Sequence, residues 1–117
     1  MGFNSPLNVV GQELQPEDLY RLGWIYLCGL GVVRDDKRSA YWLHRAAEQG
    51  HCEAQFELGQ MYLLARGVSQ DYKQAADWFR QAAEQGHGGA QLRLGWMYDC
   101  VPGVVRDYNQ AVNQAVA

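Results

Sequence analysis

Apolar residues between Glu53 and Gly86 form two successive helical stripes. In the first, the spacing is that of one face of an amphipathic helix, with apolar side chains at Ala54, Leu58, Met61 and Tyr62. A second stripe follows at Ala75, Trp78, Phe79, Ala82 and Ala83. It predicts a second helix that ends at Gly86, because glycine is favoured just beyond a helix C-terminus. Two such helices joined by a short loop form an αα-hairpin.

The segment between the two stripes carries the signals of a turn and a helix start. Gly67 provides the chain reversal. Asp71 lies where an N-cap residue belongs, since its carboxylate can accept hydrogen bonds from the first free amides of the next helix. We call the first helix of such a hairpin helix A and the second helix B.

The whole pattern recurs every 36 residues without an insertion. Residues that keep the interval include Gly23/Gly59/Gly95, Tyr26/Tyr62/Tyr98 and Asp35/Asp71/Asp107. A fixed period of this length predicts a solenoid of stacked supersecondary units. The predicted helices A cover 16–28, 53–64 and 89–99, and the predicted helices B cover 35–48, 71–84 and 107–116.

These helices predict an all-α fold, an α/α superhelical solenoid of about three helix-turn-helix repeats. The expected repeats span about 16–50, 51–86 and 87–117, after an irregular N-terminal extension at 1–15. The last repeat is short, and Gln114 stands where Trp42 and Trp78 stood. Its predicted outer face is polar, at Asn109, Gln110, Asn113 and Gln114. That polarity fits a capping unit and fits equally an array that has been cut off.

The glycine inside each helix A predicts tight packing. A mid-helix glycine costs about 1 kcal/mol relative to alanine, yet it stands at the same place in all three units. We expect a neighbouring helix B to approach closely there through its paired alanines, such as Ala46 and Ala47, while large residues such as Leu43 fill the remaining gaps.

The repeating motif resembles the Sel1-like repeat family, a relative of the tetratricopeptide repeats. In the second unit the residues that carry the resemblance are Ala54, Leu58, Gly59, Tyr62, Gly67, Val68, Asp71, Ala75, Trp78, Ala82, Ala83, Glu84 and Gly86. The resemblance covers about Asp18 to Ala115, with departures at Asp18, Ser39 and the missing third tryptophan. It implies a right-handed α/α superhelix that serves as a protein-interaction scaffold, common in bacterial adaptor, secretion and signalling settings.

Stacked helix pairs of this kind place their helices A along the concave side, where we expect a protein or peptide partner. The helix-A positions whose residue type differs between units are the candidates for exposure. On each helix A they are spaced i, i+3 and i+7, so they lie in one stripe along the helix. The candidate partner-binding residues are Arg21, Trp24, Cys28, Glu57, Gln60, Leu64, Arg93, Trp96 and Cys100. Tryptophan and arginine are the residue types that anchor interfaces. The alternative is that Trp24 and Trp96 pack against the 1–15 segment or a neighbouring molecule in a crystal, or are merely half-buried.

A second class of function is a structural module that assembles homo-oligomers through its repeat ends. The contact would then be formed by Ala111, Val112, Ala115 and Val116. Nucleic acid is not expected as a partner, because the net charge is −3 and the basic residues are spread along the chain. No apolar run approaches the roughly 20 residues of a membrane-spanning helix, and we expect neither membrane insertion nor a signal peptide.

The cysteines and histidines are too far apart to form a disulfide or to share a metal ion. Cys28 and Cys100 are equivalent positions two repeats apart, about 20 Å at ~10 Å per helix pair, and Cys52 lies at the other end of a helix A. A disulfide needs Cα atoms within roughly 7 Å, so we expect three free thiols, which favours a reducing, cytoplasmic location. His51 and His87 lie one repeat apart and lack metal-ligand spacing. We expect no metal, no cofactor, no catalytic residue and therefore no enzyme.

Overall fold

The computed structural model describes residues 14–100, and this part of the chain forms five α-helices without a strand. The helices are α1 (Pro16–Cys28), α2 (Asp36–Glu48), α3 (Cys52–Leu64), α4 (Tyr72–Glu84) and α5 (Gly88–Cys100). Helices α1, α3 and α5 are helices A, and α2 and α4 are helices B. The predicted all-α repeat fold is confirmed, and the predicted ends agree with the observed ones to within one residue. The predicted helix at 107–116 and residues 1–13 of the extension lie outside the described residues.

Each described helix packs against the next one along the chain, from α1 on α2 to α4 on α5. The buried side chains form two core clusters, one around Leu19, Leu43 and Leu58, the other around Phe79 and Met97. Tyr62 packs against both clusters. The core therefore continues from one unit into the next, as a stack of hairpins requires.

Both described helices B begin and end in the same way. The Oδ1 atom of Asp35 accepts a hydrogen bond from the Arg38 amide, and that of Asp71 from the Gln74 amide, each at 3.1 Å. These two predicted N-caps are confirmed, while Asp107 lies outside the described residues. At the other end, Gly50 and Gly86 adopt a left-handed backbone with φ of 91°.

The left-handed glycine closes each helix B in a Schellman motif. After α2, the Gly50 amide donates to the Ala47 carbonyl at 3.0 Å, and the His51 amide donates to the Ala46 carbonyl at 3.1 Å. The same two bonds recur after α4, at Gly86 and His87. They satisfy carbonyls that would otherwise lack partners at the helix end and turn the chain directly into the next helix A.

The close approach at the helix-A glycine is confirmed at two positions, but its predicted neighbour is wrong. A Cβ atom at Gly59 would lie 2.8 Å from the ring carbons of Phe79 and 3.2 Å from the Ala75 carbonyl oxygen. At Gly23 it would lie 2.6 Å from the Leu43 side chain. The missing side chain of the glycine leaves space that a large helix-B residue fills, and the paired alanines are not its nearest neighbours. Gly95 cannot be compared, because the helix B predicted beside it lies outside the described residues.

Ser39 is a polar residue in the core of the first unit. Its side chain is fully buried, and its hydroxyl has no hydrogen-bond partner among residues 14–100. The equivalent position in the second unit is Ala75, which is also fully buried. A buried hydroxyl without a partner loses its hydrogen bonds to water on folding, and the alanine does not.

We predict that Gly59→Ala lowers the free energy of unfolding by about 1–3 kcal/mol, the usual effect of overpacking a core. The cause is the rigid Phe79 ring and the Ala75 carbonyl, which leave no room for a methyl group. Chemical denaturation followed by circular dichroism measures the change. The control is Gly88→Ala, where nothing lies within 4 Å of the added Cβ. Equal effects of the two substitutions would show that Gly59 makes no essential close approach.

We predict that Ser39→Ala raises the free energy of unfolding by about 1 kcal/mol, because it removes a buried hydroxyl without a partner. Ala75→Ser, at the matched position of the second unit, should lower it by a similar amount. The same denaturation experiment measures both. A loss of stability on Ser39→Ala would mean that the hydroxyl makes a stabilising bond in solution.

Candidate functional site: the helix-A face

His51 and His87 cap the helices A that follow them. The Ala54 amide donates to Nδ1 of His51 at 3.1 Å, and the Ala90 amide donates to Nδ1 of His87 at 3.0 Å. Because Nδ1 accepts a hydrogen bond in both cases, the geometry assigns the ring proton to Nε2.

The same two rings contact the helix A of the preceding unit. Nε2 of His51 lies 2.9 Å from the Glu17 carboxylate, and its ring stacks on Tyr20 with centroids 4.5 Å apart. One repeat later, Nε2 of His87 lies 3.1 Å from the Glu53 carboxylate, and the ring stacks on Phe56 at 4.4 Å. Each histidine therefore joins two consecutive helices A. We call this set of contacts the histidine junction.

The histidine junction also affects the glutamate that it binds. The hydrogen bond from His51 holds the pKa of the Glu17 carboxyl below its ordinary value; burial opposes this effect, and the charge of Arg21 adds to it. Sequence reasoning placed both histidines in loops and missed this role. The available signal was the identical recurrence of residues 46–51 at 82–87. Among residues 14–100, no group of three or more His, Cys, Asp or Glu side chains is placed to hold a metal ion.

Six of the nine predicted partner-binding residues are exposed and three are half-buried. The exposed ones are Arg21, Cys28, Leu64, Arg93, Trp96 and Cys100, and the half-buried ones are Trp24, Glu57 and Gln60. Two large apolar side chains stand out among the exposed residues, since 55% of Leu64 and 49% of Trp96 remain accessible to solvent. We call the nine residues the helix-A stripe.

Part of the helix-A stripe is linked between units. Nε of Arg93 donates to Oε1 of Gln60 at 3.1 Å, which joins α5 to α3. On α1, Arg21 pairs with Glu17 one turn away at 3.6 Å, and both side chains are exposed. An ion pair of this exposed kind contributes little to stability.

The two tryptophans of the stripe differ in their surroundings. Trp24 packs against the first core cluster, as does Leu14, and meets Tyr20 edge to face at 6.3 Å. Trp24 is thus partly a packing residue. Trp96 remains half accessible on α5. Residues 1–13, which the alternative placed against the two tryptophans, lie outside the described part of the chain. The predicted oligomer contacts lie outside it as well, namely Ala111, Val112, Ala115 and Val116.

Glu57 places a half-buried carboxyl at the centre of the stripe. Burial raises its pKa above the ordinary value, and the charge of Glu53 adds to the rise, while the charge of Arg66 opposes it. Burial therefore disfavours the ionised form of Glu57, and a cationic group placed beside the carboxylate would stabilise it.

The three cysteines are free, as predicted. Cys28 and Cys100 are exposed, and Cys52 is half-buried with its thiol 3.7 Å from the Ala82 carbonyl. Burial raises the pKa of the Cys52 thiol, and the charge of Glu53 acts in the same direction. A raised thiol pKa lowers the thiolate fraction, so Cys52 is not set up as a nucleophile.

None of the helices in residues 14–100 is long and apolar enough to span a membrane. The described helices are all of 13 residues, whereas a bilayer requires roughly 20.

Three solved bacterial structures resemble the chain. A Sel1 repeat protein from Oxalobacter formigenes is 38% identical over 70% of the chain, with a TM-score of 0.69. A protective antigen of uropathogenic Escherichia coli that displays an SLR fold is 34% identical over 86%, with a TM-score of 0.73. Cysteine rich protein B of Helicobacter pylori is 25% identical over 64%, with a TM-score of 0.62.

The chain spans only part of these proteins, namely 34%, 23% and 56% of their respective lengths. No curated protein matches it. The family model for the Sel1 repeat matches three consecutive segments, 16–51, 52–87 and 89–113. These matches cover most of the chain, which therefore belongs to the Sel1 repeat family.

Proposed function

We propose that this chain is a binding module that holds a peptide or protein segment along the helix-A stripe. Sel1 repeats generally mediate protein–protein interaction and are typically scaffolds without enzymatic activity. The observation that carries the proposal is the exposure of Trp96, a large aromatic side chain beside Arg93 on the stripe. Tryptophan and arginine are the residues most enriched among those that dominate binding energy.

The scaffold beneath the stripe supports such a role because it is ordered before a partner arrives. The histidine junctions join α1 to α3 and α3 to α5, and the bond from Arg93 to Gln60 fixes side chains of the stripe itself. A surface whose side chains are already held in place loses less conformational entropy on binding.

The chemistry of the stripe favours a mixed partner. Leu64 and Trp96 offer apolar surface, and Glu57 offers a half-buried carboxyl whose pKa is raised by burial. A segment with one large apolar side chain and a lysine or arginine would complement both features. Binding, rather than bond-making chemistry, is the function that this arrangement supports.

We predict that Trp96→Ala removes a partner from affinity capture. The purified chain, immobilised as bait, should capture at least one protein from a lysate of its source organism. The amount of that protein recovered should fall at least tenfold with Trp96→Ala, a loss typical of truncating a binding anchor. Quantitative mass spectrometry measures the recovery, and circular dichroism checks that helicity is unchanged.

The matched control is Tyr72→Ala, which truncates an exposed aromatic residue on helix α4 rather than on a helix A. It should recover the same protein as the wild type. Equal recovery of every protein by the wild type and both variants would refute binding along the stripe.

A further inference from the structure

We infer that helix α2 carries a second binding surface, on the layer of the helices B, for an acidic peptide segment. Two hollows adjoin there. One, of about 420 Å³, is lined by Tyr26, Lys37, Arg38, Tyr41 and Trp42. The other, of about 460 Å³, lies between α2, α3 and the loop at 67–68, and Lys37, Tyr41 and Arg45 are among its lining residues. Because Lys37 and Tyr41 line both, the hollows form one continuous surface, which we call the α2 surface.

The arginines of the α2 surface lie over aromatic rings. The guanidinium carbon of Arg38 lies 5.7 Å from the Tyr26 ring centroid. That of Arg45 lies 5.5 Å from the Trp42 ring and 5.9 Å from the Tyr41 ring. A guanidinium over a ring face can still bind a carboxylate through its N–H groups.

The charge of the α2 surface is not balanced locally. Among residues 14–100, no carboxylate lies within 4 Å of Lys37 or Arg45, while Arg38 pairs with Asp35 at 3.5 Å. The one carboxylate lining the second hollow, Glu48, pairs with His44. The α2 surface thus sets three cations, Lys37, Arg38 and Arg45, against two carboxylates, Asp35 and Glu48. Charge complementarity selects an acidic partner.

Comparison with the second unit shows that the fold does not require these residues. Arg38, Tyr41 and Arg45 of α2 correspond, 36 residues later, to Gln74, Asp77 and Gln81 of α4. Helix α4 nevertheless has the same length and the same type of N-cap as α2. Stacking of the units thus does not require cationic or aromatic side chains at these three positions, which leaves them available to a ligand.

The spacing of the arginines defines the partner further. Arg38 and Arg45 are seven residues apart on one helix, which places them about 10 Å apart along its axis. A peptide in the extended polyproline II conformation advances about 3.1 Å per residue and points every third side chain in the same direction, so carboxylates three positions apart would reach both guanidinium groups. Tyr41 lies between them with 57% of its side chain exposed and offers a contact for an apolar residue. The expected ligand is an extended segment with two Asp or Glu residues three positions apart and an apolar residue between them.

The test is fluorescence anisotropy with a labelled octapeptide that carries two glutamates three positions apart and a leucine between them. At low ionic strength the wild-type chain should bind this peptide at least tenfold more tightly than the version with two glutamines. Arg38→Gln and Arg45→Gln should each weaken binding about tenfold, the effect of losing one charge-assisted hydrogen-bonded pair. Both variants introduce the glutamine that α4 already carries, so the fold should tolerate them.

The matched control is Lys73→Gln, which removes one positive charge at the α4 position equivalent to Lys37 and should leave binding unchanged. Trp96→Ala should also leave it unchanged, which separates this surface from the helix-A stripe. The inference is overturned if the glutamate and glutamine peptides bind with equal affinity, or if a single-stranded oligonucleotide of the same charge binds more tightly than the glutamate peptide. It is also overturned if Lys73→Gln or Trp96→Ala weakens peptide binding as much as the two arginine substitutions do.

Discussion

The stacking of successive units depends on the histidine at each junction, because its backbone and ring contact both units at once. The amide of His51 closes α2 through the Ala46 carbonyl, and its Nδ1 atom caps α3 through the Ala54 amide. Its Nε2 atom and ring face then reach back to Glu17 and Tyr20 on α1. His87 repeats this arrangement with centroid and hydrogen-bond distances within about 0.2 Å. Since a repeat array is stabilised by contacts between neighbours, these junctions act together with the shared apolar core in placing one unit on the next.

Within each unit, a second constraint fixes the distance between the two helices. Gly23 and Gly59 leave holes that the side chains of Leu43 and Phe79 fill, and the penalty for a mid-helix glycine is offset by burying a large apolar side chain. The junction and the glycine contact occupy few positions of the period. The remaining helix positions are free to vary, and both proposed binding surfaces use such positions: the helix-A stripe on one layer and the α2 surface on the other.

The sequence predicted what depends on local order. The 36-residue period, the apolar stripes and the capping residues Asp35 and Asp71 depend on neighbours along the chain, so the helices and their ends could be placed to within one residue. Contacts between distant segments were harder. That Gly59 faces Phe79 rather than alanines, that His51 reaches Glu17, and that Trp24 is half-buried while Trp96 is exposed all depend on how helices rotate about their axes. A repeat pattern does not specify that rotation.

The central claim is that the histidine junction holds neighbouring units together, and a double-mutant cycle between His51 and Tyr20 tests it most directly. His51→Asn retains a residue able to cap α3, and Tyr20→Leu installs the residue found at the equivalent position, Leu92. The free energies of unfolding of the wild type, both single variants and the double variant should give a coupling energy of about 1 kcal/mol, typical of stacked rings. Single effects that add to within about 0.3 kcal/mol would contradict the account.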